Sequence, residues 1–348
     1  MNLREAAGSL ARAVVLPAAA ALVAGVASGG EPIRLGIIGL DTSHAPAFTK
    51  ILNDPQAPDD VAGCRVVIAT PQGSPDIPAS VSRLEKFTAE VRGLGVEIVP
   101  TIDAVVAGCD AVLLESVDGR PHLEQVLPVL RAGKPVFVDK PLAASLADAI
   151  AIVETARKRR VPMFSSSALR FSDGIHALRD ETITEIGRVR RVELTGPCSH
   201  EPTHPDLFWY GIHGVEGLFT ILGPGCTGVR RTQATAETDE VVGSWPDGRS
   251  GTFRGAVSGK APFAGVASGE NGDRDTGEFA GYRPLVVEIV KFFRTRKPPV
   301  DADETLEIIA FMEAADESRR RGGAEVSIAD TLAAGRKAAA ARLAALGE

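Results

Sequence analysis

The segment Ile33-Arg-Leu-Gly-Ile-Ile-Gly-Leu-Asp-Thr-Ser-His44 constrains the fold more than any other part of this chain. An apolar run with no alternation predicts a strand buried on both faces, and Gly39 then opens a tight turn into a helix. This is the opening of a dinucleotide-binding unit, whose fingerprint is G-x-G-x-x-G. Counted from Gly39, the three positions hold Gly39, Asp41 and His44. Two glycines are therefore replaced, one by a carboxylate. Asp41, Thr42 and Ser43 suit helix capping. An altered cofactor contact, through Thr42, Ser43 and the helix N-terminus, or a substrate or metal role stand beside it as alternatives.

Downstream, strand and helix patterns alternate. Strands are predicted at Cys64–Ala69, Val96–Val99, Ala111–Leu114, Pro135–Val138 and Val161–Ser165, with helices between them that include His122–Arg131 and Leu146–Arg159. This spacing predicts a Rossmann-like, doubly wound parallel sheet. The second strand ends at Thr70, where such units usually place an acid for the ribose hydroxyls. Beyond residue 167 the pattern changes to alternating strands near 189–195, 228–235, 241–245 and 251–257. Helices follow at Arg283–Arg294 and Asp303–Arg320, predicting an α+β domain with an open, mostly antiparallel sheet. The expected division is 1–30, 31–167, 168–330 and a helical tail at 331–348.

Residues 1–30 carry Arg4 and Arg12, an apolar run from Ala13 to Ala27 and then small residues, the pattern of a cleavable secretory signal. An exported or periplasmic protein is expected, with a cytoplasmic one as the alternative and no stable transmembrane span, since the run is shorter than the ~20 residues a bilayer requires. The net charge of −7, without basic stretches interleaved with aromatics, argues against nucleic acid. The four cysteines form no C-x-x-C pair. They read as buried or free thiols, with one disulfide as an alternative after export. His200, His204 and His213 with Glu201 have the residue types of a metal set, but Pro202 and Pro205 interrupt the segment and no metal is assigned.

Several segments together resemble the Gfo/Idh/MocA family of NAD(P)-dependent sugar and cyclitol oxidoreductases, over about residues 33–330. They are Gly36-Ile-Ile-Gly39, Asp139-Lys-Pro-Leu142 in place of Glu-Lys-Pro, Leu169-Arg170-Phe171, Tyr210-Gly-Ile-His213-Gly-Val-Glu216, and the run Pro298–Leu306. The resemblance implies hydride transfer between a polyol carbon and NAD or NADP. Lys140 would orient the hydroxyl and His213 would act as base. Glu216, one helical turn on, would orient the imidazole or form an ion pair nearby. Trp209 stands where the family often has an Asp. The cofactor side falls on Gly36, Gly39, Asp41, Thr42, Ser43, His44, Thr70, Glu115, Asp139 and Pro141. His122, Arg170 and Trp209 fall on the substrate side, with a solvent-facing helix-start histidine and an internal ion pair as the other readings of His122 and Arg170. Asp118 or Arg120 would take the place of the family's Asn. A carbohydrate-like small molecule and a homo-oligomer are the expected partners. An exported non-redox carbohydrate binder, or a lyase or isomerase with tightly bound cofactor, are the alternatives.

Overall fold

The computed structural model describes residues 31–179 and 185–348, so the secretory-signal expectation at 1–30 lies outside the described residues. Six strands form the first sheet: β1 (Ile33–Ile38), β2 (Cys64–Thr70), β3 (Glu97–Ile98), β4 (Ala111–Leu114), β5 (Val136–Val138) and β6 (Met163–Ser165). Their spatial order is β3-β2-β1-β4-β5-β6, and every pairing is parallel. The order in which strands are added across the sheet reverses between β1 and β4. A crevice opens there, outside the carboxyl ends of the strands, and this is where open α/β sheets bind ligands.

The glycines of β1 have structural duties. A Cβ on Gly36 would stand 2.5 Å from Val105 Cγ1, so this glycine lets the helix Ile102–Gly108 lie close on the strand. Gly39 has φ +95°, and a Cβ there would be 2.4 Å from the Ser116 backbone nitrogen. Only glycine fits both that dihedral and that approach. The connecting helices begin where short polar side chains accept backbone N–H groups, as Thr101 does from Ala104 and Ser145 from Asp148.

The second sheet contains β7 (Val189–Pro197), β8 (Gly228–Ala234), β9 (Thr238–Ser244), β10 (Ser250–Ala256), β11 (Ala264–Gly269), β12 (Asp273–Asp275) and β13 (Val326–Ser327). Their order is β12-β11-β7-β10-β9-β8-β13. Only the central pair, β7 with β10, is parallel. Along β7, Val192 and Leu194 are buried while Arg191, Glu193 and Thr195 are exposed, the alternation of a sheet covered on one face. The helices Ile212–Leu222 and Ala302–Arg320 provide that cover.

Packing departs from the expected division in two places. The helix Arg283–Thr295 returns to the first sheet, where Phe292 meets Phe164 edge-on with ring centroids 5.0 Å apart. The tail helix Ile328–Leu346 lies on the helix Leu146–Arg159, with Gly335 against Leu146 and Arg342 paired to Asp148 at 3.0 Å. All four cysteines are buried and free. Among the described residues, no helix is long and apolar enough to cross a membrane.

Candidate active site

A cavity of about 440 Å³ opens at the carboxyl ends of β1, β4, β5 and β6. Thr42, Ser43 and His44 line it after β1, Val117 after β4, Lys140 after β5, and Ser167, Ala168 and Leu169 after β6. The helix Pro78–Gly93 contributes Ala79, Arg83 and Phe87. The second domain closes it with Ser199, Trp209, Tyr210, His213 and Phe263, and Phe279 and Tyr282 complete the wall. No carboxylate is among these residues, although the chain carries a net −7. The cavity therefore suits an uncharged or anionic ligand.

Lys140 emerges from β5 through a cis Lys140–Pro141 bond. Behind it, Asp139 is fully enclosed. Its Oδ1 accepts the Lys140 N–H at 2.8 Å, and its Oδ2 lies 2.7 Å from His44 Nδ1. Burial alone would raise the Asp139 carboxyl. The His44 imidazole and the Lys140 ammonium outweigh it and hold the group at about 2, so Asp139 is ionised. Glu115 lies alongside, fully buried, with neither carboxyl oxygen hydrogen-bonded. Burial, and then the Asp139 charge, lift its carboxyl well above the usual range.

His213 starts the helix Ile212–Leu222, and its Nδ1 is 2.7 Å from Ser167 Oγ. That hydroxyl also accepts the Leu169 N–H at 3.1 Å. Where the Ser167 hydroxyl donates to Nδ1, the ring proton of His213 falls on Nε2. Burial, followed by the Lys140 ammonium and the neighbouring His44 ring, depresses His213 well below the ordinary histidine range, so it is neutral at neutral pH.

The remaining expected site residues lie beneath or beside the cavity. Glu216 does not touch the imidazole. Its Oε1 accepts from Ser166 Oγ at 2.6 Å and Arg170 Nε at 2.7 Å, and its Oε2 accepts the Ser167 N–H at 2.8 Å. It fixes the segment that carries Ser167. Arg170 is buried between Glu216 and Glu304 and faces no ligand, which corrects its assignment to substrate. His122 is likewise neither solvent-facing nor in the cavity. It is fully buried, with Nε2 2.9 Å from the Ser116 carbonyl and Nδ1 3.2 Å from that of Leu142.

Asp41 does not cap the helix His44–Leu52, whose N-cap is Ser43 without a side-chain bond. Its carboxylate turns inward instead. Oδ1 accepts the Val117 N–H at 2.9 Å and Oδ2 accepts the Ser80 hydroxyl at 2.6 Å. Gly36, Gly39, Thr70, Glu115, Asp139 and Pro141 do not line the cavity either. Of the residues expected on the cofactor side, only Thr42, Ser43 and His44 do.

Asp118 ties the neighbouring loops. It accepts from Ser74 at 2.5 Å and from Arg120, and it lies 3.1 Å from His204 Nε2. Burial opposes its ionisation, but these donors hold its carboxyl far below the usual range. Arg120 also holds Asp76 with two bonds of 2.8 Å. The three histidines weighed for a metal take separate partners: His200 meets Asp239 at 2.6 Å, His204 meets Asp118, and His213 meets Ser167.

Sequence reasoning missed Arg83, Ser167, Tyr210, Phe263, Phe279 and Tyr282. Ser167 had a signal, a hydroxyl at the carboxyl end of a parallel strand. Tyr210 had one too, since it opens the segment that carries His213, whereas Arg83, Phe263, Phe279 and Tyr282 had none, because the fold brings them in from distant elements.

Residues 33–166 match the model of an oxidoreductase family with an NAD-binding Rossmann fold. An inositol 2-dehydrogenase of Cereibacter sphaeroides is 31% identical over 160 residues, covering 44% of this chain and 42% of that protein. A trans-1,2-dihydrobenzene-1,2-diol dehydrogenase of Mus musculus is 30% identical over 167 residues, covering 43% and 50%. The chain thus spans half or less of the length of these curated relatives. A solved myo-inositol dehydrogenase from Lactobacillus casei, in complex with NAD(H) and myo-inositol, superimposes with a TM-score of 0.67 at 19% identity. It covers 85% of this chain and 96% of that one, a likeness of fold.

Proposed function

We propose that this chain, whose residues 33–166 match the model of an oxidoreductase family with an NAD-binding Rossmann fold, is an NAD(P)-dependent oxidoreductase of a small polyhydroxylated substrate, a cyclitol or sugar. The observation that carries this reading is the cavity at the strand switch point, where Lys140, His44 and His213 converge and no carboxylate intrudes.

The residues present fit a dinucleotide. The replaced glycine at Asp41 does not obstruct it electrostatically, because the carboxylate is sealed beneath the turn by Val117 and Ser80. Thr42 and Ser43 present hydroxyls to the cavity, and Arg83 supplies a cation on the facing helix. These three would hold the phosphates. Thr70 in place of an acid leaves the ribose end without its usual acceptor, so discrimination between NAD and NADP falls on other residues.

A dinucleotide held there would supply an acceptor for the hydride of the substrate carbon. The protein prepares that carbon's hydroxyl. Lys140 donates to the substrate oxygen and stabilises its negative charge as the carbonyl forms. His213, neutral and protonated on Nε2, donates a second hydrogen bond. Phe263, Phe279 and Tyr282 exclude water from the reacting centre.

Calorimetric titration with NAD and NADP tests the proposal. Saturable binding of either one supports it, and binding of neither contradicts it.

A further inference from the structure

We propose that His44, held by Asp139, is the general base of this cavity, taking the substrate hydroxyl proton on its Nε2. The proposal rests on the reading of the cavity as an oxidoreductase site and adds to it a residue that occupies a glycine position of the dinucleotide fingerprint.

Geometry assigns opposite polarities to the two imidazoles. His44 Nδ1 is 2.7 Å from an Asp139 oxygen. An ionised carboxylate only accepts, so Nδ1 carries a proton, and in the neutral ring the Nε2 lone pair is free. Nε2 has no protein partner among the described residues, and His44 lines the cavity. His213 is the reverse, because the Ser167 hydroxyl occupies its Nδ1 lone pair and Nε2–H faces outward as a donor. A donor cannot collect a proton. Between the two histidines, only His44 has the vacancy.

A carboxylate faces the ring that would receive the proton. Asp139 lies against the protonated edge, as a carboxylate does in hydrolytic triads. Glu115 Oε2 stands 4.0 Å from Nδ1, but its carboxyl is raised well above the usual range and adds no fixed negative charge. The opposing charge is that of Lys140, and His213 is the other titratable neighbour. The ring is clamped between Phe48, stacked at 5.3 Å, and Tyr282, edge-on at 4.7 Å, which fixes the direction of Nε2. In the step itself the substrate O–H bond breaks and its proton passes to Nε2. The released electron pair forms the second C–O bond, and the hydride leaves the carbon with its own pair for the oxidised nicotinamide. Asp139 is a positioning residue, acting only through His44.

Two measurements on the full chain decide this. The first is nitrogen NMR of histidine-labelled protein, with the His44 signal identified by its loss in His44→Gln. The expected result is an Nδ1–H tautomer for His44 and an Nε2–H tautomer for His213, with the His44 preference lost in Asp139→Asn. An Nε2–H tautomer at His44 overturns the proposal. The second is turnover of myo-inositol with NAD as probes. His44→Gln is expected to lower kcat at least about 100-fold with KM little changed. Asp139→Asn should lower kcat and shift its acid limb, whereas a merely structural Asp139 would leave the limb in place. A His44→Gln enzyme within threefold of the parent kcat overturns the assignment. If the parent binds dinucleotide but turns over no polyol, the proposed function fails, and the tautomer measurement still decides the His44–Asp139 pair.

Discussion

The Asp41 carboxylate accepts the Ser80 hydroxyl at 2.6 Å, and this bond joins the turn after β1 to the first turn of the helix Pro78–Gly93. The same carboxylate accepts the Val117 N–H from the segment after β4. Asp41 is a three-way tie under the floor of the cavity. Restoring the fingerprint glycine by Asp41→Gly removes both bonds and leaves the Val117 N–H without its acceptor. The expected cost is about 1–3 kcal/mol of stability, with no gain in dinucleotide affinity. Thermal melting and calorimetric titration of the variant check the two halves of this prediction.

Arg83 is the cation expected to replace the lost glycine's contribution to phosphate binding. Arg83→Ala should weaken dinucleotide binding about 10-fold and make the remaining affinity less sensitive to salt. Titrations at low and high ionic strength read both effects. Unchanged affinity would place the phosphates elsewhere.

Glu115 makes stability depend on pH in a defined direction. Its carboxyl is raised well above 4.5 in the folded chain by burial and by Asp139, so the folded state holds a proton that the unfolded state has released. Stability contributed by this group is complete below about pH 4.5 and is lost as pH rises through the folded value. Glu115→Gln removes that loss. The variant should melt higher than the parent at pH 8, with the difference shrinking towards pH 4.5.

Arg170 is held by Glu216 and Glu304, both at 2.7 Å, with all three side chains buried. Arg170→Ala leaves two carboxylates without their shared partner and should cost about 3–5 kcal/mol. Because Glu216 also holds the Ser167 N–H, the variant should lose kcat along with stability. Glu304→Gln, remote from Ser167, should lose stability with kcat little changed. Melting curves paired with steady-state kinetics separate the two.

The fold was legible where hydrophobic periodicity is long and cleanly bounded. Ala111–Leu114, His122–Arg131 and Leu146–Arg159 stand in the structure with the predicted bounds. The short elements β12, β13 and Asp206–Trp209 carry two to four residues, too few to show a period, and β13 pairs with β8, far back in the sequence. The helix Arg283–Thr295 was predicted as a helix, but its return to the first sheet depends on aromatic packing that sequence order does not reveal.

The candidate site was legible at Lys140, Trp209 and His213, each in a recognisable segment, and all three line the cavity. The roles of polar residues were harder to foresee. Arg170, Glu216 and His122 have the chemistry of ligand binders, yet each satisfies buried groups of the fold itself. Which partner a buried charge finds is settled by three-dimensional proximity, and Glu304 lies 134 residues from Arg170. His44 shows the opposite case. It entered as a fault in a glycine motif and stands in the structure as an oriented imidazole facing the cavity.

The central claim is that this cavity oxidises a polyol at the expense of a nicotinamide dinucleotide. The most direct test mixes the purified chain with myo-inositol and with NAD or NADP, and follows the absorbance band of the reduced nicotinamide. The account predicts growth of that band only when protein, polyol and dinucleotide are all present, and its loss in Lys140→Ala. A panel of cyclitols and sugars giving no growth of the band with either dinucleotide would contradict it.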